Sequence, residues 1–133
     1  MTTQSQLNEL IASMRPRLDP EVYVWATAPR VPDGVEPVAT LREAEGVTVV
    51  LTAAEAKRWG LENTFPSARI TLEVHSALDA VGLTAAFASA LAEVGISANV
   101  IAGYHHDHIF VPFDRAADAM AALERLASGA ALT

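Results

Sequence analysis

The sequence contains no cysteine, which excludes disulfide bonds and thiolate metal ligands. Cationic side chains are also scarce. Nine Lys and Arg residues stand against sixteen Asp and Glu, and the formal net charge at pH 7 is −7. A nucleic acid or an anionic membrane surface calls for a basic protein surface, so this balance argues against both kinds of partner.

Long hydrophobic runs are missing as well. No run approaches the roughly 20 apolar residues that span a bilayer, and residues 1–30 lack the basic segment and apolar core of a signal peptide. We therefore expect a cytoplasmic protein. The chain has 133 residues, of which 51% are hydrophobic, and this suits one compact unit or two small subdomains that share a sheet.

Motifs of common catalytic sites are absent too. There is no Gly-x-Ser-x-Gly elbow, no glycine-rich phosphate loop and no histidine metalloprotease helix. Ser76, Ser89 and Ser97 have no recognisable base and orienting acid. The sequence therefore predicts no catalytic residue and no cofactor.

The most informative stretch is residues 68–113. Apolar Ile70, Leu72 and Val74 alternate with polar residues, which predicts a half-buried strand over 68–75. A helix over 80–94 follows, and Gly95 is placed as its left-handed C-terminal residue, with Ile96 able to contact Leu91. The apolar face of this helix comprises Leu83, Phe87, Ala90, Leu91 and Val94.

Two hairpin strands come next, over 97–103 and 109–111, with a polar turn between them. After Asp114, a second helix places Ala116, Met120, Leu123 and Ala127 on one face. The order strand, helix, strand, strand, helix predicts a split βαβ, or ferredoxin-like, sandwich with helices on one face of the sheet.

The first half has a comparable set of elements. We predict a helix over 7–14 that ends at Pro16, a strand over 22–28, a hairpin of 38–43 and 47–51, and a helix over 53–59. Its signals are Gly46 in the turn, Thr52 and Glu55 at capping-box spacing, and Gly60 past the helix end. Residues 61–67 are expected to be a connection, and 128–133 a short edge strand or a frayed end.

The motif VHSALDAVGLTAAFASALAEVGISANVIAGYHHDHIFVP, with VATLREAEGVTVVL upstream, resembles a bacterial family of small proteins built from tandem ACT domains. The resemblance implies an α+β, ferredoxin-like ACT fold with an antiparallel sheet and two ACT-like subdomains, 1–65 and 66–133. ACT domains are regulatory modules that bind amino acids or similar small molecules. The resemblance therefore implies a small-molecule ligand, a homodimer and a separate regulated partner protein.

The first candidate site is the turn 76–84 between strand and helix. A helix N-terminus offers unpaired N–H groups to a carboxylate, Gly82 lets a ligand approach the backbone, and Asp79 or His105 can hold its polar groups. The predicted ligand-binding residues are Ser76, Leu78, Asp79, Val81, Gly82 and Leu83 in the turn, and Asn99, Ile101, Gly103 and His105 on the neighbouring wall. The alternative is that Ser76 or Asp79 only caps the helix and Gly82 relieves crowding against the sheet.

Two further clusters carry suitable chemistry. His105, His106 and His108, with Asp107 among them, are ligand types for zinc or another borderline cation, although a solvated hairpin tip, a pocket lining or a dimer contact would explain them as well. The acidic hairpin 40–46 can face a cationic ligand of the other subdomain or simply be a solvated turn.

The sequence thus predicts a non-enzymatic ACT regulatory protein that binds an amino acid or a related metabolite. Two other readings stay open: a structural dimer module without a metabolite, and a metal-binding protein or small metal-dependent enzyme that uses the histidine cluster.

Overall fold

The computed structural model describes residues 3–74 and 78–131. That part of the chain contains four helices, six strands and a 3-10 turn at Phe113–Arg115. The helices are α1 (Gln4–Ser13), α2 (Ala53–Arg58), α3 (Leu83–Glu93) and α4 (Ala116–Ala131). The strands are β1 (Arg15–Ala28), β2 (Ala39–Glu43), β3 (Gly46–Thr52), β4 (Thr64–Glu73), β5 (Asn99–Ala102) and β6 (Asp107–Pro112).

The strands form one six-stranded sheet in the order β2-β3-β1-β4-β6-β5. Every neighbouring pair is antiparallel. Since β4 and β5 both run antiparallel to β6, they are parallel to each other, and α3 connects them across β6. This is the split βαβ arrangement, so the predicted α+β, ferredoxin-like fold is confirmed.

The helices cover one face of the sheet. Ile70 and Leu72 of β4 and Ile109 of β6 are fully buried against α1, α3 and α4. The buried helix residues of this core are Ile11, Leu83, Phe87, Leu91, Ala119, Ala122 and Leu123. Ala56 of α2 packs against Val24 and Leu51 on the same face, further along the sheet.

The opposite sheet face, called the open face below, has a smaller cluster made of strand residues. Tyr23 and Trp25 place their rings edge-to-face on Phe110, with centroids 5.9 and 4.8 Å away. These two rings help to explain why Phe110 has no exposed surface although no described helix covers it.

Strand β1 is longer than predicted, because it begins at Arg15 rather than at residue 22. Pro16 and Pro20 weaken the strand signal, and the structure accommodates both. β3 pairs only with the Tyr23–Ala28 part of β1, so Pro16 lies where the strand has a single neighbour. Pro20 lies in a bulge, in which the Asp19 carboxylate accepts the Glu21 N–H at 2.8 Å.

Two other boundaries differ from the prediction. β4 already begins at Thr64, within the expected connection 61–67, and Phe65 takes a positive φ of 59° beside a register shift against β1. At the other end, α4 continues to Ala131, so the expected edge strand or frayed end over 128–133 is wrong for its described part. Leu126 and Ala127 pack against the core and hold this last stretch.

Several local signals are confirmed. The Ile96 N–H donates to the Leu91 carbonyl and the Gly95 N–H to that of Ala92, both at 3.0 Å, which is the expected helix closure. The Thr52 hydroxyl accepts the Glu55 N–H at 3.2 Å as the N-cap of α2. No helix within the described ranges is long and apolar enough to cross a membrane.

Candidate functional site: the cleft at the start of helix α3

A cleft opens between the N-terminus of α3 and the β5–β6 hairpin. Together with the part open to solvent, it holds about 400 Å³ of space. The residues that line it are Leu78, Ala80, Leu83, Thr84, Ala102, Gly103, His105, His106 and Asp107. The tertiary structure therefore brings the described part of the predicted turn, residues 78–84, and the hairpin to one place.

Within the described part of the chain, the helix end at this cleft has no side-chain cap. Helix α3 begins at Leu83 rather than at residue 80, and Gly82 is its N-cap with a φ of 99°. Gly82 has no side chain to receive the N–H groups that a helix leaves unpaired in its first turn, and that turn contains no acidic residue. Asp79 therefore does not cap the helix, contrary to one of the expected alternatives, and Ser76 lies outside the described residues.

The hairpin side of the cleft is a tight turn. The Gly103 N–H donates to the His106 carbonyl at 2.9 Å. A Cβ at position 103 would lie 3.0 Å from that carbonyl oxygen, so a larger residue there would require the turn to shift slightly. Tyr104 is 85% exposed, and its ring contacts that of His105 with centroids 5.0 Å apart.

Asp107 is the acidic group of the cleft. It pairs in register with Leu72 and Ala102, and so points to the helix side of the sheet, as Ile109 does two residues later. Burial raises the pKa of the Asp107 carboxyl above its ordinary value. Next to it, Nδ1 of His106 is buried and has no hydrogen-bond partner among the described residues.

His108 points the other way, to the open face. Its Nδ1 lies 3.0 Å from the Thr71 hydroxyl oxygen and 3.3 Å from Nη2 of Arg69. Burial lowers the pKa of His108, and the positive charges of Arg69, His106 and Arg17 lower it further. His108 therefore faces the opposite side of the sheet from the cleft that His105 and His106 line.

The positions of the three histidines argue against the metal-binding alternative. The rings of His105 and His106 are 6.3 Å apart between centroids and belong to the cleft, whereas His108 belongs to the open face. Over residues 3–74 and 78–131, no group of His, Asp or Glu residues is arranged to hold a metal ion. A chelate of His106 and His108 from one strand face would require both residues on β6, but His106 lies in the turn before β6 begins.

The other predicted residues have different positions. Leu78, Leu83, Gly103 and His105 line the cleft. Asp79 and Val81 are exposed in the turn before α3 and do not line it.

Asn99 and Ile101 pair with Phe110 and His108, and therefore point to the open face. The expected wall of the cleft is instead formed by Ala102, whose side chain lies on the helix side. The acidic hairpin 40–46 joins β2 and β3, and β2 is the sheet edge opposite to β5. It is therefore remote from this cleft.

Asp107 was not predicted as a ligand-binding residue. The available signal was its spacing of two from Ile109, which places both side chains on the helix side of β6. It was hidden by the neighbouring histidines, which made Asp107 look like part of a metal cluster.

Comparison with known proteins identifies the family. Two models, both described as ACT domain, match the chain, one over residues 2–68 and the other over 65–125. The chain belongs to the ACT domain family. The comparison with curated proteins gives no match for this ACT protein.

Solved structures are similar over most of the ACT protein. The Vibrio cholerae protein VC0802, described as of unknown function and a possible transport protein, is 51% identical, with a TM-score of 0.82 over 91% of this chain and 95% of that one. Atu0741 of Agrobacterium tumefaciens is 17% identical, with a TM-score of 0.72 over 86% and 89%. The ligand-free regulatory subunit of aspartate kinase from Thermus thermophilus is 11% identical, with a TM-score of 0.63 over 84% and 95%, and shares the fold.

Proposed function

We propose that this ACT protein is a non-enzymatic regulator that binds an amino acid, or a related zwitterionic metabolite, in the cleft at the start of α3. One observation carries the proposal: a helix N-terminus with no side-chain cap among the described residues and a carboxylate line the same cleft. The first suits an anionic group and the second suits a cationic group. A free amino acid carries both on neighbouring atoms.

The anionic end of the ligand belongs at α3. The first-turn N–H groups of Leu83 and Thr84 carry the partial positive charge of the helix, and the N-cap residue Gly82 offers them no side chain. Leu83 is buried, so the helix start is fixed in place, while Thr84 is exposed at the cleft. A carboxylate received here replaces the missing cap.

The cationic end belongs at Asp107. Burial already disfavours the ionised carboxylate, as its raised pKa indicates, so an ammonium group that pairs with it restores favourable interactions. Nδ1 of His106 offers a further hydrogen bond beside it. A cationic group on the ligand suits the Asp107 carboxylate, and this favours a zwitterion over a simple anion.

Apolar surface surrounds the cleft mouth. Leu78 is 70% exposed and Tyr104 is 85% exposed, at the loop and hairpin that frame the opening. Exposed apolar groups at a binding site are suited to contact a ligand side chain or a second protein surface. We propose that a second copy packs here, so that the protein is a homodimer and ligand binding is transmitted to a partner protein.

We also propose the division into subdomains 1–65 and 66–133, although the two share one sheet. Helix α1, from the first subdomain, packs its Ile11 into the core of the second, beside Leu83 and Phe87. The start of α3 is therefore supported by both halves of the chain. A cytoplasmic location stays a prediction from the sequence.

A pair of variants at Thr84 tests the binding site. Thr84→Glu places a carboxylate in the first turn of α3, where the helix dipole favours it by about 0.3–1 kcal/mol, but where it repels the ligand carboxylate. Thr84→Gln has the same size without the charge. Calorimetric titration with the twenty amino acids should find a ligand for the wild type and for Thr84→Gln. Thr84→Glu should lose affinity by a factor of ten or more at unchanged or higher melting temperature.

The outcomes separate the rival functions. Equal affinity of both variants would place the ligand elsewhere. If no amino acid raises the melting temperature of the wild type, the protein is better explained as an association module without a metabolite. A ligand at a hundredfold excess over its dissociation constant would stabilise by about 2.7 kcal/mol, which a thermal melt resolves.

A further inference from the structure

Arg69 is a partly buried cation on the open face, away from the cleft. Three ion pairs form within the described residues, and Arg69 belongs to none of them. Its Nε is buried and has no hydrogen-bond partner there. A half-buried guanidinium without a paired anion is unfavourable, because it has lost water without gaining a carboxylate.

The surroundings hold the guanidinium in position. It lies over the Tyr23 ring, 5.8 Å from the centroid, and its Nη2 lies 3.3 Å from Nδ1 of His108. Because guanidinium N–H groups only donate, Nδ1 of His108 accepts this bond. The Thr71 hydroxyl, 3.0 Å from the same nitrogen, completes a polar group at the centre of the sheet.

The local charges favour an anion on the β6 side of Arg69. Arg17 pairs with Glu73 at 2.6 Å, and the Asp19 carboxylate accepts from the Tyr23 hydroxyl at 2.9 Å on the β1 side. The charges that shift His108, on the β6 side, are all positive: Arg69, His106 and Arg17. Arg17 is already paired with Glu73, so Arg69 is the guanidinium among these cations that has no carboxylate partner within the described residues.

We propose that the open face binds a small aliphatic monocarboxylate at Arg69, beside His108, as a second site separate from the cleft. One carboxylate matches the one guanidinium at this site, and the fork of N–H groups on arginine suits carboxylate geometry. Ile101 pairs with His108 in register and is only partly buried, so it offers an apolar surface to the carbon chain of the ligand.

The test follows the imidazole signals of His108 by NMR during titration with sodium butyrate and sodium acetate, with sodium chloride at equal ionic strength as the control. The wild type should show a saturable shift with both carboxylates, several-fold tighter for butyrate, and none with chloride. Arg69→Gln should abolish saturation, and Arg69→Lys, which keeps the charge without the fork, should restore it in part. Asp19→Asn should tighten binding, since it removes the nearby negative charge.

Thr84→Glu separates the two sites. It should leave the butyrate response of His108 unchanged, because its carboxylate lies at the cleft on the helix side of the sheet. The proposal is overturned by a wild-type response that does not saturate, by an equal response to chloride, by an unchanged response in folded Arg69→Gln, or by a response that Thr84→Glu removes. Equal affinity for acetate and butyrate would overturn the assignment of an aliphatic ligand.

Discussion

Gly82 at the start of α3 lies directly against Leu7 of α1: a Cβ built on Gly82 would be 2.8 Å from Cδ2 of Leu7. The backbone of Gly82 also has a φ of 99°, which side chains rarely tolerate. The left-handed backbone favours glycine, and a side chain at this position would also have to displace the Leu7 methyl group, so the neighbour that Gly82 accommodates is helix α1 rather than the sheet. Gly82→Val cannot serve as a probe of ligand access for that reason.

We predict that Gly82→Val destabilises the protein by at least about 1 kcal/mol, the lower end of what overpacking and left-handed strain each cost. Urea unfolding measures the change. Gly129→Ala is the matched control, because no atom lies within 4 Å of a Cβ there, and an alanine in α4 should stabilise by up to about 1 kcal/mol. Adding Leu7→Ala to Gly82→Val should recover the steric part only. A Gly82→Val variant as stable as the wild type would contradict the packing argument.

The substitution Asp107→Asn should weaken ligand binding but increase the stability of the fold. Burial raises the pKa of Asp107 in the folded protein, so the folded state holds this proton more tightly than the unfolded state does. As pH rises from the ordinary pKa to the raised one, this group lowers the free energy of unfolding progressively. At neutral pH the folded state bears the full cost of ionising the partly buried carboxyl. The Asn variant should therefore be more stable at pH 7 and lose this pH dependence.

The same variant should bind an amino acid at least about tenfold more weakly, since a hydrogen bond to a charged group contributes about 1.5–3 kcal/mol. Wild-type affinity should also fall as pH decreases through the pKa of Asp107, whereas that of the variant should not. Urea melts and calorimetric titrations over a pH series measure both effects. If Asp107→Asn binds the amino acid with wild-type affinity and is no more stable than the wild type at pH 7, Asp107 does not belong to the binding site.

The proposed homodimer can be tested with two exposed apolar residues at opposite sheet edges. Tyr104, beside β5, is 85% exposed, and Leu41, on β2, is 63% exposed. Tyr104→Ser should weaken dimerisation by tenfold or more, as truncation of an interface aromatic often does, while Leu41→Ser should not. Sedimentation velocity over a concentration series measures this. A wild-type monomer at tens of micromolar, roughly a usual assay concentration, would count against the dimer and leave the fold untouched.

Much of the fold follows from patterns between residues that are close in sequence. The closure of α3 at Gly95, the N-cap Thr52 and the turn at Gly46 each depend on contacts a few residues apart, and the structure confirms them. The alternation of Ile70 and Leu72 predicts β4 for the same reason, because one face of that strand is fully buried.

The ends of strands and helices needed more than local pattern. Pro16 and Pro20 break the strand signal, yet β1 runs through both, because β4 pairs with that part of the strand and a bulge takes up the second proline. Similarly, α3 begins at Leu83 because Gly82 turns left-handed against Leu7, a residue from the other end of the chain.

The sequence by itself determined the order of elements, the ACT resemblance and the part of the chain that forms the cleft. Only the tertiary structure decided which side chains face it. Strand β5 is apolar on both faces: Val100 packs under the helices and Ile101 joins the open-face cluster. Alternation therefore cannot tell the two faces apart, and pairing with β6 turns Ile101 and Asn99 away from the cleft. The same pairing separates Asp107 from His108, because side chains that follow each other on a strand point to opposite faces of the sheet.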